Sequence, residues 1–304
     1  GYDRMATEPV QDVIPTVITG IPLHTPHSDQ PRRAARLWST LLFYVVIGFF
    51  MLNLFGLIGT VLLDSLGQQW FSTWLPQGLF TTQWYTYELA DHDLGALLFN
   101  TFTMAIATTF ISLLVGFPAA YVLARKQFRF KSILLALYLV PMMVPPLAYG
   151  IPLATVLLTY LGGGLPSVIL INVVPTLPFV ILILMPFIEQ VDVSLEAASR
   201  MLGAKPWQTF WRIILPLVVP GLLTAGVLTI VRAIAMFELT FLVADATATT
   251  LVVTLYGDAF GAGARPEQAI NAMAVIYMLT TMVLLGIALI FVKPTQFVVR
   301  LKER

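Results

Sequence analysis

The sequence predicts an all-α integral membrane protein with six transmembrane helices and a cytoplasmic amphipathic coupling-helix insert between the fourth and fifth. Two observations predict this fold class. The 304 residues are 58% hydrophobic and only 11% charged, with a mean hydropathy of +0.85, whereas about 45–50% apolar residues are usual in soluble domains. The chain also contains six apolar runs, each reaching the roughly 20 residues that a helix needs to cross a bilayer. This composition excludes a soluble globular protein.

The six predicted spans follow one another from near Leu37 to the C-terminal end. The first begins after a polar stretch of more than thirty residues, which is too long for a cleaved signal peptide, so we expect it to remain as a helix. The predicted spans are residues 37–63, 94–124, 132–160, 166–188, 216–244 and 270–292.

Three further segments complete the predicted domain organisation. Residues 1–36 and 294–304 are predicted tails. Residues 37–93 hold the first span and a long outer loop, which contains Trp70, Trp74 and Trp84. Because indole rings favour the boundary between lipid and water, this loop is predicted to fold onto the outer membrane interface.

The basic residues predict the orientation. The loops 64–93, 161–165 and 245–269 contain a single Lys or Arg, which is Arg265. The other connections and both tails contain several basic residues. The positive-inside rule therefore places both termini and the insert in the cytoplasm. The basic residues on that side are Arg32, Arg33, Arg36, Arg125, Lys126, Arg129, Lys131, Arg200, Lys205, Arg212, Lys293, Arg300, Lys302 and Arg304.

Prolines are concentrated in the third and fourth spans. Each proline removes a backbone hydrogen bond and can kink a helix. One interpretation is a translocation path between kinked helices, and the other is ordinary packing kinks, which membrane helices tolerate. These prolines are Pro141, Pro145, Pro146, Pro152, Pro175, Pro178 and Pro186.

The insert at residues 189–215 carries the most informative pattern. Apolar residues at helical spacing predict a short helix that Gly203 ends, and Pro206 can open a second helix because its missing N–H would have had no partner there. We expect Pro216 to redirect the chain into the fifth span. The apolar positions are Leu195, Ala198, Leu202, Trp207, Phe210, Trp211 and Ile214, with Lys205 and Arg212 outside the stripe.

This insert resembles the signature loop of ABC importer permeases, which reads Glu-Ala-Ala, three residues, Gly, nine residues, Ile, one residue and Leu-Pro. Gly203 and the Ile-x-Leu-Pro end fit this spacing, and Glu196 stands one place before the Glu-Ala-Ala position. The resemblance implies that the loop couples the chain to a separate ATPase subunit. The alternative is an interfacial amphipathic hairpin of another membrane protein. The implied coupling residues are Glu196, Ala197, Ala198, Gly203, Lys205, Pro206, Ile213, Leu215 and Pro216.

The second span extends the resemblance. Asn100-Thr101 at its start and the run from Gly116 to Arg125 at its end are similar to the opening of the transmembrane domain in type I ABC importers, so the similarity covers residues 94–293. Within that family the chain looks nearest the polyamine (spermidine/putrescine) and ferric-ion branch. The residues that suggest this branch are Thr250 to Tyr256, Pro266, Asn271 and Ala272.

The resemblance implies a permease subunit that carries a small, polyamine-like solute by alternating access across a bacterial cytoplasmic (inner) membrane. The implied partners are an ABC ATPase dimer with ATP and Mg²⁺, a second permease chain or a second copy, and an extracytoplasmic solute-binding protein. Other solutes within the family stay open: a sugar, an opine, a phosphonate or ferric ion. An ion-coupled secondary transporter and a membrane scaffold without transport are alternatives from other classes.

Several chemistries are not predicted for this chain. It has no cysteine and no GxxxxGK[ST] phosphate loop, so we expect no cofactor and no nucleotide site of its own. His24, His27 and His92 form no HExxH pair, and no histidine lies in a span, which argues against a metal site or a hydrolytic triad. The basic residues form no continuous patch that would bind nucleic acid. The chain is therefore not predicted to be an enzyme.

Two charged residues lie within the fifth predicted span and are the candidates for the substrate path. A charge at bilayer depth costs several kcal/mol unless it meets a partner or water, so Arg232 and Glu238 are functional candidates. Glu238 is interpreted as a contact to solute or a gate, or else as a structural bond. Arg232 is interpreted mainly as a structural residue whose five N–H donors bind carbonyls freed by a kink.

Overall fold

The computed structural model of the chain describes residues 30–68, 78, 80–261 and 265–290, with side chains from Trp38 onward. Residues 1–29 and 294–304 of the predicted tails lie outside these ranges, as do His24, His27, Trp70 and Trp74. Every regular element in the described ranges is helical. This confirms the all-α prediction.

The chain divides between Leu57 and Ile58 into two compact units. The first unit contains most of α1, which spans Gln30–Ser65 and begins seven residues before the predicted first span. The second unit contains the remaining elements. They are α2 (Gln83–Asp91), α3 (Leu94–Arg125), α4 (Lys131–Met143), α5 (Pro146–Leu161), α6 (Leu165–Glu189), α7 (Val193–Met201), α8 (Pro206–Thr209), a π-helical turn (Phe210–Ile214), α9 (Leu215–Ile234), α10 (Glu238–Val243), α11 (Leu251–Phe260) and α12 (Glu267–Ile290).

Helices α3, α6 and α9 pack against one another and form the core of the second unit. Since burial of apolar side chains cannot drive helices together within lipid, close packing has to hold them. Two clusters of buried apolar residues lie along these helices and extend into α10 and the π-helical turn. One contains Met104, Ile171, Ile234 and Leu239, and the other contains Leu123, Leu184, Ile214 and Val218.

The third predicted span is bent rather than continuous. α4 and α5 meet at an angle of 96° at the Val144–Pro145 break. Val144 has an extended backbone, as expected for a residue that precedes proline, and Pro146 opens α5. Five described helices are long and apolar enough to cross a membrane, and a sixth if the bent pair counts as one span. In contrast, α6 continues as one helix through its three internal prolines.

The predicted redirection of the chain at Pro216 is wrong. The segment Pro206–Ile234 runs as one span of 29 residues, from the insert into the membrane. The π-helical turn Phe210–Ile214 ends two residues before Pro216, and Leu215 N–H donates to the Phe210 carbonyl. We attribute the continuity to this wider turn, which opens the backbone where the proline ring would otherwise contact the carbonyl four residues earlier.

The predicted fifth span ends earlier than expected. α9 stops at Ile234 rather than continuing to residue 244, and α10 begins at Glu238 after a three-residue break. The predicted outer connections also contain helices, since α2 lies within residues 64–93 and α11 within residues 245–269. The break between α9 and α10 sets the position of the substrate-path candidates.

Gly221 provides a test of the packing of α9. A Cβ atom at this residue would lie 2.6 Å from Cγ of Phe187, so we expect Gly221→Ala to destabilise the chain by about 1–3 kcal/mol through overpacking. Gly226→Ala on the same helix is the control, since its nearest neighbour is a flexible Leu113 methyl group at 3.5 Å. Reversible unfolding in SDS–detergent mixtures measures both. Equal stability of the two variants would contradict the packing described.

Candidate functional site

The insert begins with a well-capped short helix. The Asp192 carboxylate accepts a hydrogen bond from Ser194 N–H at 2.8 Å and caps α7. Hydrogen bonds from Ser194 lower the pKa of Asp192, so this carboxylate is ionised where it complements the helix N-terminus. Gly203 ends the turn after α7 with φ of +83°, a left-handed conformation that favours glycine. Pro206 then opens α8, as predicted.

Glu196 points inward and attaches the insert to α3. Its side chain is buried, with Oε1 at 2.7 Å from Arg125 Nε. This is a close ion pair, although the N–H does not point along the contact as in a hydrogen bond. The Tyr121 hydroxyl donates to Glu196 Oε2 at 2.8 Å, and Arg125 also donates to the Val191 carbonyl at 2.5 Å. The cytoplasmic end predicted for α3 is therefore bound directly to α7.

Aromatic packing adds a second attachment. The Phe210 ring in the π-helical turn lies 4.8 Å from the Phe117 ring and 5.2 Å from the Tyr121 ring, measured between centroids. Across the bend of the insert, the buried Ser199 and Thr209 hydroxyls lie 2.8 Å apart and form a hydrogen bond. The two arms of the insert are thus held to each other and to α3.

The opposite face of the insert is apolar and exposed. Met201, the last residue of α7, is 83% exposed, and Leu202, the next residue, is 89% exposed. Trp207 is 68% exposed. An exposed apolar face on an anchored element is typical of a protein interface. Of the predicted coupling residues, Ala197, Ala198, Gly203, Lys205, Pro206 and Pro216 are exposed, Ile213 and Leu215 are half-buried, and Glu196 is buried.

The second candidate region is the break between α9 and α10. Arg232 lies in the last turn of α9 with its guanidinium carbon 5.0 Å from the centre of the Phe179 ring. Arg232 Nε has no hydrogen-bond partner among the described residues. Glu238 opens α10 and is exposed. The described residues contain no ion pair of Arg232 or Glu238.

Hydroxyl groups, rather than Arg232, bind the carbonyls at this break. The Thr240 hydroxyl donates to the Met236 carbonyl at 2.9 Å, and the Tyr277 hydroxyl contacts the Ile234 carbonyl at 3.4 Å. The buried Asn172 amide of α6 donates to the Thr240 hydroxyl at 2.8 Å. This hydrogen bonding satisfies backbone groups that a membrane helix cannot leave free, so Arg232 remains available for another contact.

Aromatic rings flank Glu238. The Phe237 ring packs against two other rings, with centroid separations of 5.4 Å to Phe241 and 4.4 Å to Tyr256. Tyr149 of α5 packs against the buried cluster that includes Ile234 and Leu239, and its buried hydroxyl has no described hydrogen-bond partner. The break therefore combines one cation, one anion and an unsatisfied hydroxyl beside an aromatic surface.

The sequence pattern did not indicate Tyr121 or Arg125 as partners of Glu196. Arg125 entered the prediction only as one of the basic residues that set the orientation. The contact joins residues more than 70 positions apart, and no local spacing signals a pair at that separation. Asn172, Tyr149 and Tyr277 were likewise not predicted.

Comparisons with known proteins give one family match and several relatives of this chain. The family described as binding-protein-dependent transport system inner membrane component matches residues 112–295. The sulfate transport system permease protein CysW of Synechococcus elongatus is 33% identical over 164 residues, which cover 49% of this chain and 57% of that protein. The spermidine/putrescine transport system permease protein PotB of Escherichia coli is 32% identical over 186 residues, with coverages of 55% and 67%.

Two further similarities broaden the comparison. The molybdate/tungstate transport system permease protein WtpB of Thermococcus kodakarensis is 32% identical over 173 residues, which cover 56% of this chain and 70% of that protein. A crystal structure of a bacterial ABC transporter for import of the acidic polysaccharide alginate has a chain with a TM-score of 0.70 at 18% identity. That alignment covers 84% of this chain and 96% of the other, and it shows a shared fold.

Proposed function

This chain belongs to the family of binding-protein-dependent transport system inner membrane components, and on that premise we propose that it is the permease subunit of an ATP-driven ABC importer for a small solute. The observation that carries the proposal is the insert, which is anchored to α3 through Glu196 and presents an apolar face around Gly203. A partner that binds this face can move α3 and α9 together.

The continuous segment Pro206–Ile234 provides the mechanical connection. Its 29 residues correspond to roughly 43 Å of helix, with the exposed face of the insert at one end and Arg232 at the other. A displacement of the insert is therefore transmitted along α9 to the break where Glu238 lies. Alternating access requires such rigid coupling between the energy source and the solute path.

The proposed partners follow from this mechanism. An ABC ATPase dimer binds the insert and supplies energy from ATP and Mg²⁺, since no phosphate loop exists in the chain. A second permease subunit, like or unlike, completes the path, and an extracytoplasmic solute-binding protein delivers the solute. With the insert on the cytoplasmic side, both termini are proposed to be cytoplasmic.

Two solute classes are candidates, and each has a specific residue in its favour. A polyamine-like cation is favoured by Glu238, exposed at the break, and by the similarity to PotB. An oxyanion is favoured by Arg232, whose Nε lacks a hydrogen-bond partner among the described residues, and by the similarity to permeases named for sulfate and molybdate/tungstate. Guanidinium groups bind tetrahedral oxyanions through paired N–H donors.

Co-purification followed by ATPase measurement tests the proposal. We expect the tagged chain, extracted from its native membrane in mild detergent, to retain an ATPase subunit whose turnover rises with solute-loaded binding protein. For a cation, Glu238→Gln should lower stimulation about tenfold, because a contact to a charged group contributes about 1.5–3 kcal/mol. For an oxyanion, Arg232→Gln should have that effect and Glu238→Gln should not.

Two outcomes of this experiment would overturn the proposal. If no ATPase co-purifies and the reconstituted chain moves solute along an ion gradient, it is an ion-coupled secondary transporter instead. If it binds partners but moves no solute, it is a scaffold.

A further inference from the structure

A group of ionisable side chains lies at the other end of α3 from the insert. Glu88 lies in the C-terminal part of α2, His92 is the residue that follows this helix, and Asp258 comes from α11. His92 Nε2 lies 3.0 Å from Asp258 Oδ2 and 3.6 Å from Glu88 Oε2. α3 has 32 residues, or roughly 48 Å of helix, so this group is remote from the insert.

Arg265 forms ion pairs with three carboxylates of this group. Its guanidinium contacts Glu88 Oε1 at 3.2 Å and Asp258 Oδ1 at 3.1 Å, and it also pairs with Asp91. The guanidinium thus binds one oxygen of Glu88 and one oxygen of Asp258. The second oxygen of each, Oε2 and Oδ2, is left facing His92 Nε2.

One of these atoms lacks a satisfactory partner. Glu88 is 0% exposed, and its Oε2 has no hydrogen bond among the described residues. The single ring nitrogen Nε2 of His92 can hydrogen-bond Asp258 at 3.0 Å, but the 3.6 Å to Glu88 is too long for a hydrogen bond. A buried carboxylate oxygen without a donor is costly, and a positive group at this position would remove that cost.

The net charge of the group also favours a bound cation. Glu88, Asp91 and Asp258 contribute three negative charges and Arg265 one positive charge, which leaves −2 when His92 is neutral. A divalent cation would balance this charge.

We propose that Glu88 Oε2, His92 Nε2 and Asp258 Oδ2 bind one divalent first-row transition-metal ion of the zinc class. These three ligand atoms lie within 4.8 Å of one another. Tetrahedral ligands about 2.1 Å from a common ion are roughly 3.4 Å apart, close to the 3.0 and 3.6 Å observed for His92. An imidazole ligand favours such an ion over Ca²⁺ or Mg²⁺.

The surrounding contacts fit a metal site. Arg265 holds the outer oxygens of both ligating carboxylates, as hydrogen-bonding groups around metal ligands commonly do. Binding of the ion links α2 to α11, two helices from connections predicted as loops. Sequence spacing predicted no metal site because His92 and Asp258 are 166 positions apart. The site shares no residue with the insert or with the substrate-path candidates.

Zinc binding to the full-length purified chain tests this proposal. The starting protein carries His24→Ala and His27→Ala, which removes the other two histidines of the chain. After metal removal by chelation, competition with a chromogenic zinc indicator should show one Zn²⁺ per chain. His92→Ala and Asp258→Asn should each weaken binding at least about 100-fold, because each removes a direct ligand.

Asp93→Asn is the matched control. It removes a carboxylate next to His92, while asparagine still caps α3 in place of Asp93, whose Oδ1 accepts from Ala96 N–H. We expect its zinc affinity to change less than about threefold, since a solvated neighbouring charge has a weak effect. Zn²⁺ should also raise the unfolding temperature of the starting protein and not that of His92→Ala.

Two results would overturn the proposal: the folded starting protein binds no Zn²⁺, or the His92→Ala variant binds Zn²⁺ as tightly as the starting protein. The group would then be only an ion-pair network centred on Arg265. If a ligand variant fails to fold, the visible absorption of Co²⁺ bound to the starting protein decides. A four- or five-coordinate spectrum supports the site, and the spectrum of hexaaqua Co²⁺ overturns it. Neither readout depends on transport.

Discussion

Glu196→Ala is expected to destabilise the chain by about 3 kcal/mol, since removal of one partner of a buried ion pair leaves an uncompensated charge. Arg125 Nε lies 2.7 Å from Glu196, and both side chains are close to 90% buried or more, with 11% and 7% exposed. Tyr121 also loses its acceptor. Under the proposed function, ATP-driven uptake into proteoliposomes should fall to background, because the insert is then released from α3.

The double variant Arg125→Leu with Glu196→Leu separates stability from coupling. Because it leaves no buried charge unpaired, it should regain most of the stability lost in Glu196→Ala. Uptake should stay low, since the polar link between α3 and α7 is still absent. Unfolding in SDS–detergent mixtures and uptake measured on the same preparations provide both readouts. Wild-type uptake by the double variant would show that the ion pair has no role in coupling.

Gly203→Asp is the second variant with a large expected effect. Gly203 is exposed beside Met201 and Leu202, and a Cβ atom there would meet nothing within 4 Å, so the chain itself has room for the new side chain. In the proposed complex, however, the carboxylate would be buried against the ATPase, where an unpaired charge costs several kcal/mol. We expect uptake to fall at least about 100-fold, equivalent to ~2.7 kcal/mol, while ATP turnover continues.

Gly203→Asn is the matched control for this variant. Asparagine is nearly the same size as aspartate and also tolerates the left-handed conformation, φ of +83°, that this residue adopts. Only the charge differs between the two variants. Uptake should therefore stay within about threefold of wild type in Gly203→Asn, since the backbone of the turn is preserved. Equal loss in both variants would instead assign the effect to backbone conformation.

Local features of the insert were predictable because their causes are local. Gly203 ends the turn after α7 and Pro206 opens α8, as the pattern indicated. These outcomes depend on φ preferences and on a missing N–H, which are properties of single residues. The continuation through Pro216 was not predictable in the same way, since it depends on the π-helical turn at Phe210–Ile214.

Some residues of the candidate sites were predictable from local sequence, and their contacts with other helices were not. Arg232 and Glu238 were identifiable because a charge within an apolar run is visible in the sequence. Their surroundings were not, since Phe179, Tyr149 and Asn172 come from other helices. The inward direction of Glu196 was also unpredictable, because it depends on Arg125 at the far end of a separate helix.

The sequence by itself determined the class of the protein: an all-α chain with apolar spans, a polar insert between two of them and the spacing of the coupling loop. These follow from hydropathy and local conformational preference, which act over a few residues at a time. Only the tertiary structure decided which side chains meet: Glu196 with Arg125, and Glu88 and His92 with Asp258. Such contacts join distant segments, and the packing of whole helices sets them rather than any local pattern.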